Sequence, residues 1–580
     1  MIKVRDLAFE YFTRDEEEHL TDMVSAIRGI RFDAAGGDVI AIVGRNGSGK
    51  TTFARILNRL LLPIEGSVEV DGLDALLEEN KYEVRTHVGM VFQNPEDQIV
   101  GSVVCEDVAF GAENIGVPEG ELSDRVKAAL AAVGMEDAYD KPVSALSGGE
   151  KQKVAVAGVL AMGTGTVILD EATSMLDPKS AKELVVMMKR LAKEKHITVI
   201  WITHDMNLLL ASDIVYVMDR GRMVLAGRRD RVLSEEAKLA SSGLTLPKVR
   251  RLAGRLAAFG VIPRGNANSV RGIVEEMKKR YPSKFGVKRH LPEKTFEAGK
   301  VSLTRAILAD HVSYSYGKNR VLSDVSISVG KGEYVAIVGA TGSGKSTLLS
   351  VLSGIMKPAE GTVYVDGMDL YDRSTTTKEI RKKIGYVFQY PEHQLFAENV
   401  YEDVIFGPRN LGVSEIEAEK RAYQCIELVG LSQDVYDLPV SSLSGGQKRR
   451  AAIAGVLAME PEYLILDEPL SGMDPEGREE MLALMDSLHR EAGITILVVT
   501  HDVESVSAYA DRVICMEEGK VVGAGAPAEV FYDMYRDGYH EIPVAEKLLY
   551  RLYEEGLPVD LAAAGEDRIA EEVRRACFGM

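Results

Sequence analysis

The sequence predicts an α/β protein that contains two tandem copies of one domain. Each half carries short, β-branched, apolar runs without alternation: VIAIVG, TVILDE and TVIWITHD in the first half, and YVAIVG, YLILDE and TILVVTHD in the second. Such runs are typical of strands buried on both faces of a parallel sheet, with helices between the strands. Landmark sequences of the first half return in the second at an offset of 295 to 297 residues. A repeat of this length indicates a duplicated domain, since solenoid repeats span about 20 to 50 residues.

The composition is that of a large, acidic, globular protein. The chain has 580 residues, of which 46% are hydrophobic, and 69 Lys and Arg against 88 Asp and Glu give a formal net charge of −19. At about 150 residues per domain, three or four domains with apolar cores are expected, and a disordered polymer is excluded. The net acidity argues against a protein that wraps nucleic acid.

The sequence indicates a cytoplasmic protein. No run reaches the roughly 18 to 20 apolar residues of a membrane-spanning helix, and the first residues, MIKVRDLAFEYFTRDEEE, are acidic where a signal peptide is apolar. The cysteines lie too far apart in sequence for a CxxC pair or a zinc knuckle, so reduced structural thiols are expected. The cysteines are Cys105, Cys425, Cys515 and Cys577.

The repeat extends into the tails of both copies and defines four segments. LPKVRRLAGRL at 246–256 aligns with IPVAEKLLYRL at 542–552, so each copy is expected to carry a helical appendix. We place the segments as follows: the first domain at 1–235, its helical appendix and a basic linker at 236–305, the second domain at 306–535, and the C-terminal helical appendix at 536–580.

Both copies contain the pattern GxxxxGK[ST] directly after a buried strand. GRNGSGKT occupies 44–51 and GATGSGKS occupies 339–346. Glycines allow backbone N–H groups to close on a phosphate, the lysine neutralises the β- and γ-phosphate oxygens, and the following hydroxyl ligates Mg²⁺. The candidate ATP-binding residues of these loops are Gly44, Asn46, Gly47, Ser48, Gly49, Lys50, Thr51 and Thr52, and Gly339, Thr341, Gly342, Ser343, Gly344, Lys345, Ser346 and Thr347.

Two acidic pairs, Asp170-Glu171 and Asp467-Glu468, follow the apolar runs TVIL and LIL. Neighbouring residues at a strand end point in different directions, so one carboxylate can hold Mg²⁺ through its water shell while the next polarises the attacking water. An isolated pair of this kind is usually a solvated strand end. About 120 residues after a phosphate loop, the pair predicts a nucleotide-hydrolysing site.

The pentapeptides LSGGE and LSGGQ predict two helix starts. Ser147 and Ser444 are followed three residues later by Glu150 and Gln447, which is the pattern of a capping box. A capped helix start with flexible glycines is also an anion site, so the cap and a phosphate contact can share one structure. The candidate glycines are Gly148, Gly149, Gly445 and Gly446.

With these motifs in this order, the sequence resembles the ATP-binding cassette (ABC) ATPases over about 460 of its 580 residues. The resemblance implies two ABC nucleotide-binding domains, each with a RecA-like α/β core, an antiparallel β subdomain and an α-helical signature subdomain. It also implies a head-to-tail pairing in which each ATP lies between one phosphate loop and the opposite LSGG. The first site would then combine Lys50, Thr51, Gln93, Asp170, Glu171 and His204 with Ser444, Gly445 and Gly446. The second would combine Lys345, Ser346, Gln389, Asp467, Glu468 and His501 with Ser147, Gly148 and Gly149.

The resemblance also implies the roles of these residues, with ATP and Mg²⁺ as ligands. His204 and His501 would act with Glu171 and Glu468 in catalysis. The expected magnesium residues are Thr51, Gln93, Asp170, Ser346, Gln389 and Asp467. Asp177 and Asp474 match the D-loop, and Tyr11 and Tyr316 match the aromatic residue that stacks on adenine. Because neither copy lacks the glutamate or the histidine, both sites are expected to hydrolyse ATP.

The segments after the two Q-loop glutamines resemble the ATPases of energy-coupling factor (ECF) transporters. These segments are FQNPEDQIVGSVVCEDVAFGAEN at 92–114 and FQYPEHQLFAENVYEDVIFGPRN at 388–410. The resemblance implies import of a vitamin or metal ion, a membrane coupling (T) subunit, a substrate-binding (S) subunit, and a location at the cytoplasmic face of the membrane. Nearby carboxylates would receive basic residues of the coupling helices. They are Glu96, Asp97, Glu106, Asp107, Glu392, Glu402 and Asp403.

The alternative is a soluble translation factor of the ABC-F type, which also carries two cassettes. Residues 244–300 contain 14 Lys and Arg and 4 Asp and Glu, a local net charge of +10 that could touch ribosomal RNA. Against it, ABC-F proteins share a TNHLD-like D-loop where this sequence has TSMLD and LSGMD. A solvated helical spacer beside an anionic membrane or an acidic partner domain also explains the basic charge. No nucleic acid is therefore expected, and the cassettes could pair within one chain or between two.

Overall fold

The structure is a computed structural model that describes residues 1–14, 20–174, 176–265, 267–291, 306–372, 375–389, 394–539 and 541–579. Glu392, one of the carboxylates expected to meet a membrane partner, lies outside these residues. The contacts divide the chain into two units. Unit 1 comprises Met1–Arg251 with Asp474–Glu476, and unit 2 comprises Leu252–Met473 with Gly477–Met580.

The described residues of the first copy form ten strands. They are β1 (Ile2–Arg14), β2 (Leu20–Ala34), β3 (Val39–Val43), β4 (Glu65–Val70), β5 (Leu73–Asp74), β6 (Val88–Val91), β7 (Thr166–Asp170), β8 (Thr198–Thr203), β9 (Ile214–Asp219) and β10 (Arg222–Arg228).

Its α-helices lie between these strands and continue into the first appendix. They are α1 (Lys50–Leu57), α2 (Lys81–His87), α3 (Val104–Asn114), α4 (Glu119–Val133), α5 (Gly148–Ala161), α6 (Pro178–Lys195), α7 (Met206–Leu209), α8 (Arg229–Ser234), α9 (Glu236–Ser241), α10 (Lys248–Ala258) and α11 (Val270–Arg280).

The strands of the first copy form two sheets. The order in the larger sheet is β10-β9-β3-β8-β7-β6, in which β3 and β6 to β9 are parallel and β10 is an antiparallel edge strand. Every residue of β3, β7 and β8 is buried, which confirms the prediction from their continuous apolar runs. The smaller sheet is antiparallel with the order β2-β1-β4-β5.

Two apolar cores hold these layers together. One core packs α1 between the antiparallel sheet and the larger sheet, and the other packs α3 to α6 against the larger sheet. A third cluster joins α7, α8 and α9 to β3 and β9, through residues such as Leu209, Val232 and Leu239. Helices α8 and α9, which lie on either side of residue 235, both contribute to this third cluster.

Among the described residues, the second copy repeats the ten strands of the first in the same order and has ten helices where the first has eleven. Its strands are β11 (Ile307–Tyr316), β12 (Asn319–Val329), β13 (Tyr334–Val338), β14 (Glu360–Val365), β15 (Met368–Asp369), β16 (Ile384–Val387), β17 (Tyr463–Asp467), β18 (Thr495–Val499), β19 (Arg512–Glu517) and β20 (Lys520–Gly525). Its helices are α12 (Lys345–Leu352), α13 (Thr377–Lys383), α14 (Val400–Leu411), α15 (Glu415–Leu428), α16 (Gly445–Leu457), α17 (Pro475–Arg490), α18 (Val503–Tyr509), α19 (Pro527–Arg536), α20 (Val544–Glu554) and α21 (Glu566–Phe578).

The sheets of the second copy repeat the topology of the first. The antiparallel sheet has the order β12-β11-β14-β15, and the larger sheet has the order β16-β17-β18-β13-β19-β20. Strands β16, β17, β18, β13 and β19 are parallel, and β20 is again the antiparallel edge. The predicted duplicated α/β fold, with an antiparallel β subdomain and a helical subdomain in each copy, is confirmed.

Within unit 2, the basic linker helices pack against the C-terminal helices. Helix α11 lies against α20, and the Nζ atom of Lys278 donates to the carboxylate of Glu555. The Nε atom of Arg255 lies 2.8 Å from Oε1 of Glu566. Part of the positive charge of 244–300 is therefore neutralised by the acidic second appendix.

The four cysteines, in the described part of the chain, are free thiols, and Cys515 and Cys577 are buried. Among the described helices, none combines the length and the apolarity that crossing a membrane requires.

Candidate nucleotide-binding sites

The phosphate loop of the first copy connects β3 to α1 and surrounds the amine of Lys50. The Nζ atom of Lys50 donates to the backbone oxygens of Gly44 and Arg45, each at 2.8 Å. Burial lowers the pKa of Lys50. A Cβ atom at Gly44 would lie 2.3 Å from the backbone oxygen of Met218, and Gly49 has a φ of 98°, so both positions require glycine.

The phosphate loop of the second copy has the same geometry. The Nζ atom of Lys345 donates at 2.8 Å to the backbone oxygens of Gly339 and Ala340, and burial lowers the pKa of Lys345. The hydroxyls of Ser48 and Ser343 are buried in the two loops without a hydrogen-bond partner among the described residues. Each loop thus joins a buried cation and a buried hydroxyl to the positive end of a helix, which suits a phosphate ligand.

The aspartate of each acidic pair lies at the end of its strand. The Oγ1 atom of Thr51 donates to Oδ1 of Asp170 at 3.0 Å. Burial raises the pKa of Asp170 to about 6, and it also raises the pKa of Asp467. The Oδ1 atom of Asp467 is buried without a hydrogen-bond partner among the described residues. Carboxylate and hydroxyl oxygens are the ligands that Mg²⁺ prefers, and a cation would offset the cost of burying these charges, so the residues fit a magnesium ion.

The glutamate of each pair occupies an unusual backbone conformation. Glu171 and Glu468 both have a φ of 49°, in the left-handed region that is uncommon for residues other than glycine. The N–H of Glu171 donates to the oxygen of Ile202 at 2.8 Å, and that of Glu468 donates to the oxygen of Val499 at 2.9 Å. These bonds to the neighbouring strand hold each glutamate in its strained position, and strain of this kind is concentrated at functional sites.

Each glutamate pairs with the predicted histidine of its own copy. The Nδ1 atom of His204 lies 3.3 Å from Oε1 of Glu171, and the Nδ1 atom of His501 lies 2.8 Å from Oε2 of Glu468. Burial alone would raise the pKa of Glu171, but the hydrogen bond and charge of His204 outweigh it and the pKa is lowered. Burial alone would lower the pKa of His501, but Glu468 outweighs it and the pKa is raised.

The two Q-loop glutamines differ in their contacts. The Nε2 atom of Gln93 donates to Oε2 of Glu171 at 3.3 Å and to Oγ of Ser174 at 3.4 Å. At Gln389, the backbone oxygen accepts a hydrogen bond from Arg449 at 3.4 Å. Gln93 therefore reaches the candidate general base directly.

A second glutamine in each Q-loop has a structural role that the sequence analysis missed. The Oε1 atom of Gln98 accepts from the N–H of Phe92 at 3.1 Å, and its Nε2 donates to the oxygen of Met90 at 3.2 Å. Gln394 binds the backbone in the same way, with its Oε1 3.3 Å from the N–H of Phe388. The signal was present, since the second glutamine of FQNPEDQ recurs in FQYPEHQ.

Both signature sequences form the predicted capping boxes. The Oγ atom of Ser147 accepts from the N–H of Glu150 at 3.4 Å, and Oε2 of Glu150 accepts from the N–H of Ser147 at 2.8 Å. Ser444 and Gln447 cap α16 with the same pair of bonds, at 3.3 and 2.9 Å. The hydrogen bonds from the backbone and side chain of Ser147 lower the pKa of Glu150. The signature glycines form the first turns of α5 and α16, and their pairing with the opposite phosphate loop stays a prediction.

The predicted adenine residues are exposed, and the predicted D-loop residues lie at the starts of helices. The hydroxyl of Tyr11 is 3.1 Å from Oγ1 of Thr52 in the phosphate-loop helix, and 42% of Tyr11 is exposed. Tyr316 is 49% exposed at the end of β11. Asp177 caps α6 by accepting two backbone N–H groups at 3.0 Å, and Asp474 directly precedes α17.

In each copy, the structure thus brings a buried lysine, an Asp-Glu pair and a paired histidine to the ends of parallel strands. This constellation defines a phosphate-loop nucleoside triphosphatase with two candidate sites in one chain. The profile of the family described as ABC transporter matches residues 27–174 and 322–471, which include both phosphate loops, both signature sequences and both acidic pairs. The chain belongs to the ABC transporter family, as a protein with two tandem cassettes that binds and hydrolyses ATP.

Proteins of similar length and sequence occur in archaea and bacteria. A putative ABC transporter ATP-binding protein of Methanosarcina acetivorans is 35% identical over 534 residues, which are 87% of this chain and 84% of the relative. The putative HMP/thiamine import ATP-binding protein YkoD of Bacillus subtilis is 33% identical over 542 residues, which are 92% of each chain. A solved structure of cbiO1 from Clostridium perfringens, part of the ABC transporter complex cbiONQ, is 39% identical and covers 44% of this chain and 98% of its own, with a TM-score of 0.38.

Proposed function

We propose that this chain is the ATP-hydrolysing motor of an ECF-type importer. It acts at the cytoplasmic face of the membrane and couples ATP hydrolysis to the uptake of a vitamin or metal ion. A membrane coupling (T) subunit and a substrate-binding (S) subunit provide the path, because a different polypeptide selects the substrate in such systems. The import role named for the Bacillus subtilis relative supports this proposal.

We assign the chemistry of each site as follows. Glu171 and Glu468 accept the proton of the attacking water, and the strained backbone of each residue fixes its carboxylate at the strand end. His204 and His501 hold the γ-phosphate and orient the glutamate beside them. When bound, Mg²⁺ would neutralise charge on the β- and γ-phosphates. It would be held by Thr51, Gln93 and Asp170 in the first site, and by Ser346, Gln389 and Asp467 in the second.

An exposed aromatic pair directly after the second Q-loop is the observation that carries the membrane-partner proposal. Phe396 is 64% exposed and Phe406 is 45% exposed, and their ring centroids lie 4.6 Å apart. At the matching positions of the first copy, Val100 is 63% exposed and Phe110 is 49% exposed. Large apolar side chains grouped at a surface mark interaction sites, so these positions suit the apolar face of a coupling helix.

The described carboxylates of these segments have hydrogen-bond or ion-pair partners within the chain, and their contact with basic residues of a partner stays a prediction. Asp107 accepts the N–H groups of Val100 and Gly101, and Asp403 makes the matching bonds in the second copy. Glu96 pairs with Lys151 at 2.6 Å. The other described members of the set are bonded too: Asp97 to Asn94, Glu106 to Ser102, and Glu402 to Arg409. The exposed apolar residues are a second candidate contact beside these carboxylates.

The ion pairs of the basic linker weaken the alternative that this chain is a translation factor. The strongest argument for that alternative is the basic charge of 244–300. Within unit 2, however, both Lys278 and Arg255 pair with carboxylates of the second appendix. An acidic partner segment of the same chain thus accounts for part of that charge.

Affinity purification from detergent-solubilised membranes tests the proposal. The wild-type chain is expected to capture small membrane proteins, and the double variant Phe396→Ser/Phe406→Ser is expected to lose most of them. Val287→Ser is the matched control, because Val287 is 89% exposed and lies in the linker. Recovery of ribosomes instead of membrane proteins would favour the alternative, and equal capture by the double variant would reject the aromatic pair as the contact.

A further inference from the structure

Helix α18 follows the second catalytic histidine without an intervening loop. Strand β18 ends at Val499, His501 follows two residues later, and α18 begins at Val503. Between them, Asp502 pairs with Arg478 of α17 at 2.7 Å. Any shift of α18 therefore acts on the backbone that carries His501, whose Nδ1 lies 2.8 Å from Glu468.

The C-terminal appendix holds α18 at two points. The Oε1 atom of Glu504 accepts the N–H of Val544 at 2.9 Å, at the start of α20. The hydroxyl of Ser507 donates to Oε1 of Glu546, and the N–H of Gly565 donates to the same oxygen at 2.8 Å. One carboxylate thus joins α18, α20 and the turn before α21.

Burial of the carboxyl group of Glu546 costs free energy at this position. Glu546 is 1% exposed, and its Oε2 atom has no hydrogen-bond partner among the described residues. Burial raises the pKa of Glu546, and the nearby carboxylate of Glu566 adds to the effect. An apolar side chain would fill a buried helix face at lower cost, so packing alone does not explain a carboxyl group here.

The first copy is built differently at the matching place. The repeat aligns Glu546 with Arg250, which pairs with Asp230 at 3.1 Å. Leu239 and Leu244 pack directly into the apolar cluster that contains Leu209 of the four-residue helix α7. The carboxylate connection therefore belongs to the second copy.

The same contacts lead on to the first appendix. Glu566 is the residue after Gly565, and its Oε1 lies 2.8 Å from Nε of Arg255 in α10. Arg255 also pairs with Asp567. A continuous series of contacts within unit 2 thus runs from α10 through the start of α21 and Glu546 to the helix beside His501.

We propose that Glu546 is a positioning residue for the second ATPase site, which fixes α18 and His501 and connects them to the paired appendices. The proposal rests on the role assigned above to His501. It does not depend on the transported substrate or the membrane subunits, because it is tested by measuring ATP hydrolysis of the purified chain alone. Failure of the importer proposal would leave it standing.

The test compares Glu546→Ala and Glu546→Gln in the full chain. Gln keeps an oxygen that accepts from Ser507 and Gly565, whereas Ala removes it. In the Glu171→Gln background, where the remaining turnover comes from the second site, we expect Glu546→Ala to lower kcat for ATP by about tenfold with KM changed less than about twofold, and Glu546→Gln to stay within about twofold of that background. Hydrogen exchange of the 503–509 amides should accelerate in Glu546→Ala but not in Glu546→Gln.

Two further variants separate positioning from loss of stability. Ser507→Ala should lower kcat in the same direction, and adding it to Glu546→Ala should cost little more, because both remove one contact. Leu548→Ala, at a fully buried site two residues along α20, should lower the unfolding temperature while kcat is kept at a temperature where the chain stays folded. Unchanged kcat and exchange in Glu546→Ala would overturn the proposal, as would equal losses in Glu546→Gln or Leu548→Ala. If Glu546→Ala does not fold, Ser507→Ala with its exchange measurement decides in the same way.

Discussion

At the residue scale, the glutamate of each acidic pair combines backbone strain with a specific histidine. The left-handed φ of 49° at Glu171 and Glu468 is maintained by a hydrogen bond to the neighbouring strand. Because His204 and its charge lower the pKa of Glu171, this carboxylate is ionised at neutral pH and available as a proton acceptor.

Glu171→Gln and Glu468→Gln should each reduce steady-state ATP turnover. Gln keeps the shape of the side chain but cannot accept the proton, and loss of a general base typically costs about 10² to 10⁴ in rate at the affected site. The double variant should therefore lose turnover by about that factor, measured as phosphate release at saturating ATP. Glu79→Gln, at an exposed position, serves as the control. Unreduced turnover in either single variant would show that its site does not hydrolyse ATP.

At the element scale, the helices around the sites owe their positions to polar contacts at their ends. Capping boxes start α5 and α16, and Asp177 starts α6. Helix α20 is different, because the buried carboxyl group of Glu546, near its beginning, accepts hydrogen bonds from Ser507 and Gly565.

The unfolding temperature should reveal the protonation of Glu546. The groups that face it are Ser507, Gly565, Glu566 and, one turn along α20, Tyr550. Its pKa is raised in the folded chain, so its stabilising contribution is complete below about 4.5, the ordinary glutamate value, and is lost as the pH rises through the folded pKa. Glu546→Gln, which stays neutral, should unfold about 1 to 3 °C above wild type at pH 8, with the difference vanishing towards pH 4.5.

Circular dichroism melts from pH 4.5 to 8 provide this measurement. Glu571→Gln is the matched control on α21, because Glu571 is exposed. A difference that is the same at both ends of the pH range would mean that ionisation of Glu546 does not contribute.

At the scale of the whole molecule, the duplication and the appendices set the organisation of the chain. The two cassettes repeat one topology, and the appendix helices α11 and α20 pack together within unit 2. Opposite net charge favours this packing, since the linker is basic and its partner segment is acidic. The pKa of Glu555 is lowered by its hydrogen bond to Lys278.

Exchanging the charges of Lys278 and Glu555 tests this packing. Lys278→Glu and Glu555→Lys should each lower the unfolding temperature by about 1 to 3 °C, because each places like charges together at a partly exposed site. The combined variant should recover at least half of the loss. Raising NaCl from 0.1 to about 0.5 M should shrink all three differences by screening. No recovery in the combined variant would show that the pair does not stabilise the appendices.

The site could be predicted from the sequence to the extent that it depends on neighbours in the chain. The phosphate loops, the acidic pairs and the capping boxes each lie within eight residues, so residue type and spacing specify them. The buried strands were predicted for a similar reason, because continuous apolar runs reflect burial on both faces. The hydrogen bonds of the carboxylates near the Q-loops could not be predicted in this way: Asp107 and Asp403 accept backbone N–H groups of their own loops.

The sequence by itself determined a duplicated ATPase fold, because each motif is local and each one occurs twice. Only the tertiary structure decided which distant groups meet. Ser507 and Glu546 are 39 residues apart, and Arg255 and Glu566 lie on different appendices, so no spacing rule brings them together. Their meeting depends on how helices pack, and packing is set by the summed contacts of a folded unit rather than by any short stretch of the chain.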